Sequence, residues 1–153
     1  MFPAGPFLTC LLLAGGPTGR GTAKEGLSVE PPRTCGLCGM DRIRFARSRM
    51  LLEREDGSRT GVCSLHCALE ALEHPGGSPV RTLRVADRAH PGTLVEARAC
   101  TWVIGGDLPG VMARTATWAF GEAGEARAFA RRHGGRVAGF EAAREALREE
   151  GAE

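Results

Sequence analysis

Hydrophobic and polar residues alternate over short stretches in the first half of the chain, as expected for strands. The alternation over 43–45 and the run 50–54 predict two strand segments. The dipeptide Asp56-Gly57, which follows them, is typical of hairpin turns, and the return strand is predicted over 59–63. The pattern therefore indicates an antiparallel hairpin.

The period of the pattern changes to that of a helix after Ser64. Ser64 is a favourable N-cap, and apolar residues then recur at helical spacing as far as Glu73. A Pro-Gly-Gly sequence at 75–77 ends this helix, and alternation resumes as a strand over 80–85. The order of elements in this half is thus ββαβ.

The second half of the chain repeats this order. The predicted elements are a strand over 100–104, a Gly-rich loop at 105–110, a strand over 115–120, a helix over 122–133, a strand over 136–140 and a helix over 141–150. Neither half buries enough apolar surface to fold alone. We therefore expect one α+β body of two pseudo-repeated ββαβ halves, at about 33–87 and 93–150.

The N-terminal residues differ from the rest in composition. Residues 1–16 contain a short apolar run that resembles a secretory signal or anchor, although no basic residue precedes it, and it is too short to span a bilayer. Cys10 is a candidate lipidation site. The Gly-, Thr- and Pro-rich residues 17–32 predict a flexible tether. The expected location of the folded domain, 33–153, is periplasmic or extracytoplasmic, with or without a lipid anchor.

Composition restricts the classes of function. The 153 residues are 42% hydrophobic, and a net charge of +2 without any tyrosine gives no basis for nucleic-acid binding. Four of the six cysteines lie in two tight clusters, unlike the dispersed cysteines of disulfide scaffolds. No Ser-His-Asp arrangement or dinucleotide fingerprint indicates an enzyme. Metal handling is therefore the predicted class.

The first cluster is Cys35-Gly-Leu-Cys38-Gly-Met40, in which three sulfur atoms lie within six residues. Thiolates suit zinc, iron–sulfur clusters or copper(I), whereas a thioether favours copper(I). No helix begins at this run, so the low-pKa thiolate of a redox Cys-x-x-Cys is not indicated. Met112, in a sharp Gly-Pro loop, is a second candidate thioether ligand. Ordinary packing is the alternative for both methionines.

The second cluster is Cys63-Ser-Leu-His66-Cys67. Together with Cys35 and Cys38 it has the spacing of a two-knuckle zinc site, with a hairpin between the knuckles and a helix at the second. Either His66 or Cys67 can supply the last ligand. This treble-clef layout makes a structural Zn(II) the alternative to a Cu(I) site, although it leaves Met40 without a role.

Three blocks of the sequence together resemble the nitrous-oxide reductase accessory proteins called NosL. They are the Cys-Gly-Met run just described, residues 102–112 (WVIGGDLPGVM), and Ala119-Phe120 followed by 128–135 (AFARRHGG). The blocks occur in the order and spacing of that family. The resemblance extends from about residue 33 to about residue 147.

The resemblance implies a copper(I) chaperone outside the cytoplasm, commonly lipid-anchored, with two ββαβ halves of treble-clef-like fold. The expected partners are an apo-enzyme that receives copper, nitrous-oxide reductase in the family pattern, and other copper-assembly factors. For the site, the resemblance implies Cu(I) ligation by Cys38 and Met40, with Met112 as a third sulfur and Cys35 as an accessory ligand.

The second cluster departs from this family pattern. Cys63, His66 and Cys67 resemble the Cys-x3-Cys end of the small metal-sensing treble clefs called TRASH domains. They can form a zinc site with the first cluster or enlarge the copper site. A rival interpretation is therefore a zinc-built module that binds a protein partner. A thiol-redox or organomercurial-lyase-like enzyme is a third, but Asp41 is its only acidic neighbour.

Overall fold

A computed structural model describes residues 27–74 and 76–152, and its elements follow the predicted order. The elements are β1 (Met50–Arg54), β2 (Arg59–Val62), α1 (Leu65–Glu73), β3 (Val80–Ala86), β4 (Leu94–Glu96), β5 (Thr101–Ile104), β6 (Thr117–Phe120), α2 (Ala123–His133), β7 (Arg136–Ala138) and α3 (Phe140–Gly151). The predicted α+β class is confirmed. The signal-like segment 1–16 and most of the predicted tether lie outside the described residues.

The described strands form two antiparallel sheets, with strand orders β2-β1-β3-β4 and β6-β5-β7. In each sheet the first strand of a ββαβ unit lies between the second and the third. The two units therefore share their connectivity. A pseudo-twofold relation between them and the treble-clef character of each stay predictions.

One hydrophobic core joins the two sheets. Met50 and Leu83 of the first sheet belong to the same buried cluster as Trp102 of the second sheet and Phe140 of α3. The Trp102 and Phe140 rings lie 6.0 Å apart between centroids, and the indole N–H of Trp102 donates to Ala97 O at 2.9 Å. Burial of these large side chains holds the halves together.

The helices of the described chain are short. They contain 9, 11 and 12 residues. Each is amphipathic, with one side packed on the sheets, as expected for helices that cover a sheet. Within the described residues, no helix has the length and apolarity needed to cross a bilayer.

Two local predictions differ from the structure. The alternating residues 43–45 lie in a series of turns over 42–48 rather than in a strand. Arg42 and Arg49 at the ends of this segment are both buried, at 0% and 1% exposure, and converge on Glu30. Their tertiary pairing therefore overrides the local pattern. Strand β4 was not predicted, because three residues are too few to show a period.

The folded contacts begin before residue 33. The Glu30 carboxylate accepts from Arg42 Nη2, and from Arg49 Nε and Nη2 at 3.0 and 2.9 Å. The Glu30 carbonyl accepts from Arg42 Nη1 at 2.9 Å. The end of the predicted tether is thus fixed to the first sheet next to the cysteines.

Candidate metal centre

The first cysteine cluster forms a tight backbone turn. Cys35 N donates to Met40 O at 2.8 Å, Gly39 N donates to Cys35 O at 3.0 Å, and Thr34 pairs with Asp41. Gly39 has φ +74°, a conformation that side chains disfavour, which explains a glycine after Cys38. The turn brings Cys35 and Cys38 to one side, as the metal-knuckle interpretation predicts.

The second cluster lies where β2 passes into α1. Gly36 N donates to Gly61 O at 2.9 Å and so joins the first turn to the end of β2. Cys63 follows β2, Ser64 caps α1 by accepting from Cys67 N at 3.5 Å, and Cys67 lies in the first helical turn. The local sequence therefore sets the position of the second pair of thiols, and the sheet contact sets the position of the first.

Four cysteine sulfurs meet at this junction. The Sγ atoms of Cys35, Cys38, Cys63 and Cys67 all lie within 4.8 Å of one another. The Cys38–Cys63 and Cys63–Cys67 sulfur distances are 3.6 and 3.7 Å. A tetrahedral ion with metal–sulfur bonds of about 2.3 Å needs sulfurs about 3.8 Å apart. The four thiols, which are not joined by disulfides, thus have the spacing that one thiophilic ion requires.

The sulfurs differ in exposure. Cys35, Cys63 and Cys67 are buried, at no more than 3% exposure, whereas Cys38 is partly exposed. An ion at the centre of the group would therefore be enclosed on three sides. Cys38 is the thiol of the group that an incoming group can approach.

The thiols also differ in acidity. The hydrogen bond with Cys67, against the opposing effect of burial, lowers the pKa of Cys63 to about 5. The same interaction, followed by burial, raises the pKa of Cys67. Burial raises the pKa of Cys38. Cys63 is therefore more acidic than Cys38 and Cys67, and binding of an ion by the group would displace protons from these thiols.

The two methionines predicted as ligands are partly exposed. Met40 directly follows the first turn and is 36% exposed. Met112 is 40% exposed in the loop before β6, with a left-handed φ of +61°. Its neighbours Val111 and Ala113 pack against the core that contains the thiols. The loop that carries Met112 therefore lies against the same core as the thiol site.

His66 does not join the four thiols in the group of converging ligands found within the described residues. It lines a surface groove on the side of α1 that faces α3, together with Leu69, Glu73 and Leu147. On an α-helix, adjacent positions point to different sides, so Cys67 and His66 do not face one point. The sequence left His66 and Cys67 open as the fourth member of the group, and in the structure it is Cys67.

A second group of potential ligands was missed by the sequence analysis. Asp87, His90 and Glu125 place one donor atom each within 4.8 Å of one another. Asp87 accepts from Ala89 N and Gly121 N at 2.9 and 3.3 Å, which fastens the end of β3 to the loop before α2. These residues are far apart in sequence, so no local motif indicates them. We interpret the group as structural.

Comparison with known proteins bears on this geometry. A family model, described as NosL, matches residues 26–147, about four-fifths of the chain. The chain belongs to the NosL family. The predicted resemblance to NosL is thereby confirmed, and the matched segment contains all four clustered thiols and both candidate methionines.

Two solved NosL structures are similar to this chain. The crystal structure of the copper chaperone NosL from Shewanella denitrificans has a TM-score of 0.59 at 20% identity, covering 78% of this chain and 96% of the other. The solution structure of apo-NosL from Achromobacter cycloclastes has a TM-score of 0.45 at 20% identity, covering 60% of this chain and 82% of the other. No curated protein matches the chain. The fold assignment rests on the first of these structures.

Proposed function

We propose that this NosL protein is a copper(I)-binding metallochaperone that passes its ion to another protein and catalyses no reaction itself. The observation that carries this proposal is the convergence of four thiols of which one, Cys38, is partly exposed and has Met40 two residues away. Thiolate and thioether ligands select copper(I) among the common ions. The Shewanella relative is described as a copper chaperone, which agrees with this assignment.

The ligands have distinct roles in this proposal. Cys35, Cys63 and Cys67 hold the ion from the buried side, and Cys38 with Met40 forms its exposed edge. A partner's ligand can displace the exposed sulfurs first, because they are reached without opening the core. Met112, in a strained exposed loop, is proposed to contribute a further thioether when the site is loaded.

The proposed partner is an apo-enzyme that receives copper outside the cytoplasm, with nitrous-oxide reductase as the client and other copper-assembly factors as donors. The domain proposed to do this comprises residues 33–153, together with the packed residues from Glu30 onwards. A periplasmic location, with or without a lipid anchor at Cys10, is part of the same proposal.

A structural Zn(II) site is the second candidate, and a specific observation favours it. Four thiols with sulfur separations of 3.6 and 3.7 Å match a tetrahedral zinc site built from four cysteines, and three of them are buried as in structural sites. In that case the ion is permanent, it stabilises the fold, and Met40 has no role in binding it.

The two candidates are separated by metal titrations of the full chain under anaerobic conditions. A colourimetric copper(I) competitor and zinc are used in parallel on the wild type, on Met40→Leu and on Met50→Leu. Met50→Leu is the matched control, because it makes the same change at a methionine of strand β1 that is not a proposed ligand. A chaperone site binds one copper(I), weakens about tenfold, or about 1.4 kcal/mol, in Met40→Leu, and is unchanged in Met50→Leu.

The opposite result would assign the site to zinc. Zinc that displaces copper(I), with equal affinity in the wild type and Met40→Leu, is incompatible with the chaperone proposal. Unfolding of the chain on removal of that zinc would establish the structural role.

A further inference from the structure

Arg88 is a half-buried arginine that follows β3 and lies against aromatic rings. Its guanidinium carbon is 4.8 Å from the centre of the Trp118 ring and 5.4 Å from that of Phe129. Its Nε is buried and has no hydrogen-bond partner within the described residues. The side chain is therefore held by cation–π contacts while its Nε–H donor is unused.

Arg88 differs from other arginines of this protein that are paired with carboxylates. Arg42 and Arg49 share Glu30, and Arg84 pairs with a glutamate at 2.8 Å. Arg88 forms no ion pair with any residue that the structure describes, and burial followed by the charge of Arg47 lowers its pKa. A guanidinium still keeps its charge at neutral pH. Burying such a charge without a counter-ion is energetically unfavourable. We therefore expect the Arg88 guanidinium to bind an anion.

A cavity of about 350 Å³ lies beside this guanidinium. Arg47, from the turns before β1, and Arg132, from the last turn of α2, also line it. Arg47 Nη1 donates to the Arg88 carbonyl at 3.4 Å, and neither Arg47 nor Arg132 forms an ion pair in the described part of the chain. Three cationic side chains from separate segments thus line one space, and none of them forms an ion pair with a described residue.

The remaining lining specifies the anion further. Glu125 is the carboxylate on the wall, and its buried Oε2 lies 3.7 Å from His90 Nδ1 without a hydrogen bond. His133 also lines the cavity, but its Nδ1 is within 3.0 Å of Asp107. A carboxylate repels an anion that has no proton to donate and accepts from one that does. Arginine forks suit tetrahedral oxyanions.

We propose that the cavity bounded by Arg47, Arg88 and Arg132 binds inorganic phosphate in its hydrogenphosphate form. The three guanidinium groups bind its oxygens, and its O–H donates to Glu125. At neutral pH a phosphate monoester is mostly a dianion without an O–H, so Glu125 disfavours it. Sulfate, which has the same shape but no proton at neutral pH, is disfavoured by Glu125. This site is separate from the thiol centre.

The test is calorimetric titration of the full chain with inorganic phosphate, phenyl phosphate and sulfate. We expect phosphate to bind more tightly than sulfate and than phenyl phosphate, whose dianion at neutral pH has no O–H to donate to Glu125. Tighter binding of phenyl phosphate than of phosphate would contradict the proposal. In Arg88→Gln and in the exposed Arg132→Gln, binding should weaken at least about tenfold. Arg127→Gln, an exposed change on the same helix outside the cavity lining, is the matched control and should bind as the wild type does.

Glu125→Gln tests the selectivity. It should bring the affinity for sulfate to within a few-fold of that for phosphate. Absence of phosphate binding in the wild type, equal binding of sulfate, or binding that persists in both Arg88→Gln and Arg132→Gln would overturn the proposal. Because Arg132 is exposed, its variant remains informative if Arg88→Gln does not fold.

Discussion

Glu30→Gln is the change that most directly tests how the fold supports the group of four thiols. Glu30 is the shared carboxylate of two buried arginines, Arg42 and Arg49, whose side chains are 0% and 1% exposed. Glutamine has nearly the same shape but no charge. The variant therefore leaves two buried guanidinium groups facing a neutral amide.

The magnitude follows from the burial of the partners. Removing one partner of a buried ion pair costs about 3–5 kcal/mol. Glu30 itself is 23% exposed, and Arg42 keeps its bonds to Val62 O and Met50 O, so we expect the lower end, about 3 kcal/mol. For a domain of this size, that corresponds to a fall of about 10 °C in the unfolding temperature.

Glu30→Gln should also affect the positions of the four thiols. Arg42 Nε donates to the carbonyl of Val62, the residue before Cys63, at 3.2 Å, and its guanidinium covers Gly61. Gly61 in turn accepts from Gly36 in the first cysteine turn. Losing the Glu30 partner of Arg42 therefore makes the positions of both pairs of thiols less defined. We expect copper(I) affinity to fall several-fold as a result.

The pH dependence gives an independent check. Burial by itself raises the pKa of Glu30, but the hydrogen bond from Arg49 and the charges of both arginines outweigh it and hold the pKa below its usual range. The carboxylate therefore stabilises the fold above its unfolded pKa of about 4.3, and this contribution is lost as the pH falls through the lower folded pKa. The wild type and Glu30→Gln should accordingly converge in stability at low pH.

The assay is urea unfolding of the full chain at several pH values, monitored by circular dichroism. Glu70→Gln is the control, since Glu70 is 48% exposed and its one ion-pair contact within the described residues is with His74, at 3.9 Å. The control should change the stability by less than about 0.5 kcal/mol. A Glu30→Gln protein that unfolds like the wild type at pH 7 would refute the reasoning.

Three further changes have outcomes that the structure specifies. Gly61→Ala should destabilise the fold by about 1–3 kcal/mol in urea unfolding, because its Cβ would lie 2.5 Å from Arg42 Nη1; an unchanged midpoint would contradict this. Met112→Gly removes a side chain from a residue with φ +61°, so we expect no loss of unfolding temperature but weaker copper(I) binding in the competitor assay. Burial raises the pKa of Cys100 to about 12, so its thiol should resist alkylation at pH 8 in the folded protein, and Cys100→Ala should bind the same number of metal ions. Rapid labelling of Cys100, detected by peptide mass spectrometry, would show that its surroundings open.

Much of the fold was readable from local chemistry. The Asp56-Gly57 turn, the Ser64 cap and the change of period after it predicted β1, β2 and α1 within a residue or two. These signals depend only on near neighbours in the chain, which is why sequence reveals them. The cysteine spacing likewise predicted a shared site, because a hairpin between two knuckles returns the second to the first.

Other features depend on distant residues and were beyond local reasoning. Residues 43–45 alternate like a strand, yet they form turns because Arg42 and Arg49 converge on Glu30. The choice of Cys67 over His66 depends on which side of α1 faces the first cysteine turn.

Residues close together in the chain encode the class of chemistry, the α+β order of elements and the two halves of the thiol site, so these features can be read without coordinates. Three other features required the folded molecule: which sulfur is exposed, that Glu30 belongs to the folded body, and that Arg47, Arg88 and Arg132 surround one cavity. They depend on how the two sheets pack against each other. Packing is a property of the whole molecule that no single stretch of sequence contains.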